Sequence, residues 1–158
     1  MQVREIHSSD VPAAIALVRQ TLGEFGLQFC EGSATDAQMH GLPGSYRDHG
    51  GEFFVVLNAG GELLGTAGVM PVAPGVYELR KMYLRPASRG RGVGRRLFEA
   101  CIDFCRAQQA TSVVLDTLHE MKAAIAFYEK NGFVRDDAQI RGARCSRGYR
   151  LDLAERGR

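Results

Sequence analysis

The sequence predicts a mixed α/β (α+β) domain over residues 1–158, a central sheet with helices on its faces, and three observations carry that prediction. A length of 158 residues suits one domain with a buried core. Hydrophobic residues make up 45% and charged residues 24%, a globular balance that excludes a disordered or fibrous chain. Segments of strand character alternate with segments of helical period, and the order strand, helix, strand, helix recurs in the second half.

Taken in order, Val3–Ile6 is a short alternating strand, and Ser9-Asp10-Val11-Pro12 supplies helix-start chemistry with Pro in the first turn. Ile15, Leu17, Val18 and Leu22 share a helical face that ends before Gly23. Residues 35–46 are expected to form a second helix, interrupted by Gly41, Pro43 and Gly44. Glu52–Leu57, the turn 58–61 and Glu62–Met70 form a hairpin, with Pro71 and Pro74-Gly75 as punctuation before a strand over Val76–Leu84. Val93, Leu97, Cys101, Phe104 and Cys105 then recur at helical spacing, so this helix needs a sheet to cover. Ser112–Asp116 is a strand of buried type, and Met121–Lys130 a helix stopped by Asn131-Gly132. Phe133-Val134 and Arg147–Leu153 are the last two strands.

The net charge of +2 does not by itself suggest nucleic acid or membrane as a partner, but its distribution is uneven. Arg80, Lys81, Arg85, Arg89, Arg91, Arg95 and Arg96 fall in one stretch with no Asp or Glu, which therefore expects an anion. Cys30, Cys101, Cys105 and Cys145 show neither C-x-x-C spacing nor a disulfide framework. Cys101 and Cys105 are expected to be packed thiols, so no metal is expected. No apolar run approaches the ~20 residues of a membrane span, and Met1–Glu5 lacks the apolar stretch of a signal peptide, so a cytoplasmic location is expected.

The segment Arg89-Gly90-Arg91-Gly92-Val93-Gly94 lies between a predicted strand and a predicted helix. Glycine permits positive φ and close approach of backbone to ligand, and a helix N-terminus directs unpaired amides and partial positive charge at an anion. A pyrophosphate suits that arrangement. The phosphate loop of NTPases is excluded because no Lys-Ser or Lys-Thr follows, and G-x-G-x-G after a hairpin departs from the dinucleotide fingerprint.

Arg89-x-x-Gly92-x-Gly94 matches the [QR]-x-x-G-x-[GA] signature, and the chain resembles the Gcn5-related N-acetyltransferases (GNAT) there. The run 78–86 resembles the strand that precedes that signature. Ala124–Phe133 resembles the later A-x-x-[FL]-Y-x-x-x-G-F segment. The resemblance covers residues 50–135 well, and implies a mostly antiparallel sheet of six or seven strands, an acetyl-CoA co-substrate and room for a homodimer. It also implies that Met82, Tyr83 and Leu84 pair through their backbone with the pantetheine arm. The amides from Arg89 and Gly90 through Arg91, Gly92, Val93, Gly94 and Arg95 would hold the pyrophosphate. Met121 stands where many relatives carry an Asn that contacts the coenzyme.

Acetyl transfer needs a neutral amine, a polarised carbonyl and a proton for the departing thiolate. Tyr128 matches the general acid of such enzymes, and the Met82 N–H their carbonyl polariser. Glu78 stands where some relatives carry a general base. On a regular strand residues 78, 80, 82 and 84 share a face, which would turn Glu78 into the coenzyme cleft. His119 is the other base candidate. The acceptor is expected to be a small-molecule amine, ahead of a protein lysine or N-terminus, walled by residues 23–50 and the last two strands. Phe25, Phe29, Tyr46, His49 and Arg144 are candidates by location, with core packing favoured for Phe25 and Phe29. The rivals are a noncatalytic acyl-CoA sensor and a nucleic-acid module built on the arginine-rich stretch.

Overall fold

The computed structural model describes residues 1–153. Among them one seven-stranded sheet is built from β1 (Gln2–Glu5), β2 (Glu52–Leu57), β3 (Leu63–Ala73), β4 (Val76–Leu84), β5 (Ser112–Thr117), β6 (Val134–Arg135) and β7 (Arg147–Asp152). The spatial order is β1-β2-β3-β4-β5-β7-β6, and every neighbouring pair is antiparallel except β4 with β5. The helices are α1 (Val11–Gly23), α2 (Ala34–Ala37), α3 (Gly44–Arg47), α4 (Val93–Ala107) and α5 (Lys122–Lys130).

The sheet separates two cores. Phe54 and Val56 of β2, Val69 of β3 and Leu79 of β4 face α4, which lays Val93, Leu97, Cys101, Ile102 and Cys105 over them. Phe53, Val55 and Leu57 point the opposite way, onto Leu17, Val18 and Leu22 of α1 and Tyr46 of α3. β2 is therefore buried on both faces along its whole length, as a central strand must be. Each fully buried aliphatic side chain contributes about 1.5–3 kcal/mol, so two opposed layers supply most of the driving force. Cys101 and Cys105 are core side chains here, where burial pushes both thiols up.

Three sequence expectations are corrected. Residues 35–46 do not form one helix: α2 ends at Ala37, a 3₁₀ turn spans Gln38–Gly41, and α3 restarts at Gly44, because Gly41 and Pro43 interrupt the run. Pro71 does not end a strand; it lies inside β3 opposite Tyr77, past the last residue paired with β2 and beside a register shift. The sixth strand begins at Val134, because Phe133 turns into the core beside Tyr128.

β4 is not a regular strand. Thr66 pairs with Tyr83 and Gly68 with Arg80, so two residues of β4, Lys81 and Met82, stand opposite Ala67 alone. Lys81 adopts φ 55°, the left-handed conformation of a β-bulge, and its carbonyl accepts the Thr66 hydroxyl at 2.7 Å. The bulge reverses the alternation. Met82 and Leu84 join Leu79 on the α4 face, while Lys81 reaches Asp36 of α2 on the other. Glu78 and Met82 consequently occupy opposite faces, contrary to the expectation of a shared one.

Gly68 supports this arrangement by absence of a side chain. A Cβ there would lie 2.6 Å from Phe53 and 2.7 Å from Tyr46, whose rings meet edge to face at 5.3 Å. Gly68→Ala is expected to destabilise the fold by about 1–3 kcal/mol through overpacking, read as a lower urea midpoint at unchanged slope.

Candidate active site

β4 and β5 are joined by only three parallel pairs, Val76 with Ser112, Tyr77 with Val113 and Glu78 with Val114. Beyond them the strands part, and β4 from Leu79 onward has no strand partner on that edge among the described residues. A cavity of about 760 Å³ opens in the gap. It is lined from the α4 and α5 side by Gly94, Ala124, Phe127 and Tyr128, and from the α1 side by Thr21, Leu22 and Phe25. The cavity therefore connects the two faces of the sheet.

At one end stands the glycine segment. Gly90 and Gly92 have φ 75° and 81°, and Gly92 is the N-cap of α4. Side chains disfavour that conformation by about 1–2 kcal/mol, so glycine is required for the turn rather than for space. The first-turn amides of Val93, Gly94 and Arg95 have no intrahelical acceptor, and no acidic residue occupies that turn. Gly94 is needed for close approach: a Cβ would come to 3.3 Å from Leu84 and 3.6 Å from Met82. Val93 itself is a core side chain.

The arginine-rich stretch is less naked than its sequence suggests. Arg80 pairs with Glu78, Lys81 with Asp36, Arg85 with Glu62, Arg89 with Glu24 and Arg95 with Glu99. Every one of those carboxylates lies outside the stretch, Glu78 just before it and Glu99 just after it. Arg89 grips both oxygens of Glu24 at 2.9 and 3.0 Å and donates to the Leu84 carbonyl at 3.2 Å. Arg91 and Arg96 remain exposed and without an acidic partner among the described residues.

Tyr128 and Glu78 both line the cavity, from opposite faces of the sheet. The Tyr128 ring is wedged between Phe127 and Phe133, with centroids at 6.0 and 5.7 Å, and burial pushes its phenol well above the ordinary tyrosine range. Burial acts the same way on Tyr83, reinforced by Tyr128 nearby. Glu78 is buried, and its Oε1 accepts Arg80 Nε at 2.5 Å. Arg80 also donates to Gln38 Oε1 at 3.1 Å. Oε2 has no hydrogen-bond partner; Arg141 approaches it at 3.5 Å.

Several residues that sequence reasoning passed over complete the walls. Asp36 is buried between Lys81 and Arg144 and accepts the Cys30 N–H at 2.8 Å. Burial works to raise its pKa, but the Lys81 ammonium outweighs that and holds the carboxyl below the usual aspartate range. Asp116 accepts the backbone N–H groups of Arg141 and Gly142, both at 2.7 Å, which hangs the 137–146 segment over the opening. Cys145 lines the cavity there, its thiol pushed up to about 12 by burial and by Asp116. Asp36 gives no local signal of its ion pairs, since its cationic partners lie 45 and 108 residues away.

Of the acceptor candidates chosen by location, Phe25 and Arg144 line the cavity. Phe25 is 38% exposed, so it is a wall and not core. The other three stand elsewhere. Tyr46 is core, its phenol pushed up to about 12 by burial. Phe29 packs on His40 and Arg19, and His49 is exposed beyond α3. His119 is exposed, bound to Ser146 at 3.1 Å and Glu120 at 3.0 Å, and does not line the cavity.

Residues 17–133 match the acetyltransferase (GNAT) family. The chain is 32% identical over 139 residues to the uncharacterized N-acetyltransferase YjgM of Escherichia coli K12, covering 85% of this chain and 83% of that protein. A GNAT-family acetyltransferase from Staphylococcus aureus Mu50 superposes with a TM-score of 0.89 at 21% identity, over 96% of this chain and 98% of that one. A phosphinothricin acetyltransferase from Sinorhizobium meliloti, solved in complex with AcCoA, superposes at 0.76 and 19% identity, over 98% and 89%.

Asp36→Ala strands the Lys81 ammonium in a buried site and is expected to cost about 3–5 kcal/mol in urea unfolding. Because the folded carboxyl is held below its unfolded value near 3.9, its contribution is present above that pH and is lost as pH falls through the folded pKa. The variant is accordingly expected to lose less stability than wild type as pH falls below about 4.

Proposed function

The chain belongs to the acetyltransferase (GNAT) family and is an acetyl-CoA-dependent N-acetyltransferase, and on that footing we propose that it acetylates a small-molecule amine by direct attack, with Tyr128 as general acid and Glu78 as general base. The observation that carries this reading is the cavity through the sheet, with Tyr128 on the α5 face and Glu78 on the α2 face. The residues fit the coenzyme. The Gly92 turn and the first amides of α4 suit a pyrophosphate, and the free edge of β4 at Met82, Tyr83 and Leu84 suits an extended amide-bearing arm.

When bound, acetyl-CoA supplies an activated acyl group as a thioester. Met82 N–H, aimed by the Lys81 bulge, polarises the carbonyl oxygen. Glu78 accepts the proton released as the amine nitrogen bonds to the acetyl carbon. Tyr128 donates its proton to sulfur as the C–S bond breaks, and exchange with water resets both groups. Acid and base thus act from opposite faces and do not neutralise each other. Phe25 and the 141–145 segment enclose the acceptor side, which favours a small amine over a protein chain. Four free cysteines suit a reducing cytoplasm, and among the described residues no helix is long and apolar enough to cross a membrane.

Tyr128→Phe is expected to lower kcat by about 10²-fold or more while calorimetric affinity for acetyl-CoA holds, as loss of a general acid requires. Unchanged turnover would remove Tyr128 from the mechanism, and binding without turnover in wild type would favour an acyl-CoA sensor. The raised phenol pKa also fixes the pH profile. The donor form of Tyr128 persists above the ordinary value of about 10, so kcat should show no alkaline loss of the acid up to at least about pH 10. An alkaline fall centred near pH 9 would contradict the assignment.

A further inference from the structure

The side chains on the acceptor side of the cavity are unevenly committed. Arg80, Lys81, Arg141 and Arg144 all line it, answered by the carboxylates of Glu78, Asp36 and Asp116. Lys81 is held by Asp36. Arg144 gives its donors to Asp36 at 3.3 Å and to the carbonyls of Gln28 at 3.2 Å and Glu31 at 2.8 Å, and is only 16% exposed. Arg80 is bonded to Glu78 and Gln38. Asp116 is occupied by two backbone amides.

Arg141 differs. Its side chain is 40% exposed and, among the described residues, makes hydrogen bonds only to Gln139, to the carbonyl at 3.2 Å and to the side-chain oxygen at 3.3 Å. The carboxylate nearest to it, Glu78 Oε2, stands at 3.5 Å, beyond a good charge-assisted hydrogen bond. Glu78 Oε2 is buried and lacks any hydrogen-bond partner, which leaves a desolvated acceptor unsatisfied. A cationic side chain with donors to spare and an anionic oxygen without a hydrogen bond therefore stand side by side on the cavity wall, as a loose ion pair at 3.5 Å.

We propose that the acceptor is an amine carrying a carboxylate close to its nitrogen, an amino-acid-type molecule, and that Arg141 binds that carboxylate while Glu78 Oε2 receives the amine. This rests on the transfer reading given above. One such molecule satisfies both groups: its N–H donates to Oε2, and its carboxylate accepts the guanidinium fork of Arg141. The short separation of Glu78 and Arg141 requires the amine and carboxylate to be near neighbours. A polyamine would bring further positive charge against four cations, and a neutral amine would leave Arg141 unanswered. In the transfer the neutral amine forms the N–C bond, its proton goes to Glu78, the C–S bond breaks and sulfur takes the Tyr128 proton. The carboxylate is unchanged and stays on Arg141.

The test uses a panel of amino acids, each paired with its carboxamide, and linear polyamines, with thiol release as one readout and calorimetric binding to the coenzyme A-loaded enzyme as the other. Wild type is expected to favour an acid over its amide at least tenfold in kcat/KM. Arg141→Gln should collapse that ratio toward one, mainly through KM, with acetyl-CoA affinity retained, and Arg141→Lys should restore part of it. Turnover with no preference for acid over amide, a preference for polyamines, or an acid-to-amide ratio that survives Arg141→Gln would overturn the proposal and leave the transfer reading intact. Carboxylate-dependent binding that needs Arg141, without turnover of any amine, would instead uphold the anion site and sink the transfer reading.

Discussion

β4 and β5 run parallel for three residue pairs and then separate, and the site depends on that separation. A continuous sheet would put a wall of hydrogen-bonded backbone between the α4 layer and the α1 layer. Because the strands diverge, one cavity reaches Tyr128 from one layer and Glu78 from the other, and an edge of β4 is left for an extended ligand. The structure tolerates the opening because the strands on either side are anchored elsewhere. β4 is paired along its length with β3, and β5 is paired with β7 from Ser112 to Thr117. The gap is thus a local absence of pairing between two halves of the sheet that are each held by their own ladders.

The bulge at Lys81 serves the same end. It turns Met82 and Leu84 toward Gly94 and α4, and it directs Lys81 into a buried group with Asp36 and Arg144. Ion pairs removed from water seldom stabilise a fold much beyond an apolar equivalent, but breaking one leaves an uncompensated charge. Here the group fixes position: it ties α2 and the 137–146 segment to the most irregular point of β4, so three chain regions around the cavity share one anchor.

How much of this was legible in the sequence follows from how local each signal is. The strands β2 to β5, helices α4 and α5 and the turn at Gly92 were legible, because periodicity and glycine placement act within a few residues. Tyr128 and the Arg89–Gly94 segment were found through contiguous motifs, and both meet the cavity. The bulge was not legible, since nothing in residues 78–84 distinguishes a regular strand from one with an extra residue opposite Ala67; only the partner strand decides it. The split of residues 35–46 was foreshadowed by Gly41, Pro43 and Gly44, yet the apolar positions still suggested a helix. Asp36 and Arg141 carry no periodic or motif signal, and their meaning arises from side chains far away in sequence. The partners of the cation run were not legible for the same reason, because Glu24 and Glu62 come to it from other elements.

The Arg89–Glu24 pair joins parts that the chain places far apart. Arg89 belongs to the glycine segment that precedes α4, while Glu24 closes α1 immediately before Phe25, and Arg89 and Phe25 both line the cavity. The glycine loop and the end of α1 are consequently one mechanical linkage rather than two independent rims. Both partners are partly exposed, 40% and 32%, so the tie is weak and is screened as ionic strength rises. Dissolved salt thereby becomes a loosening agent for this tie between α1 and the loop that opens α4.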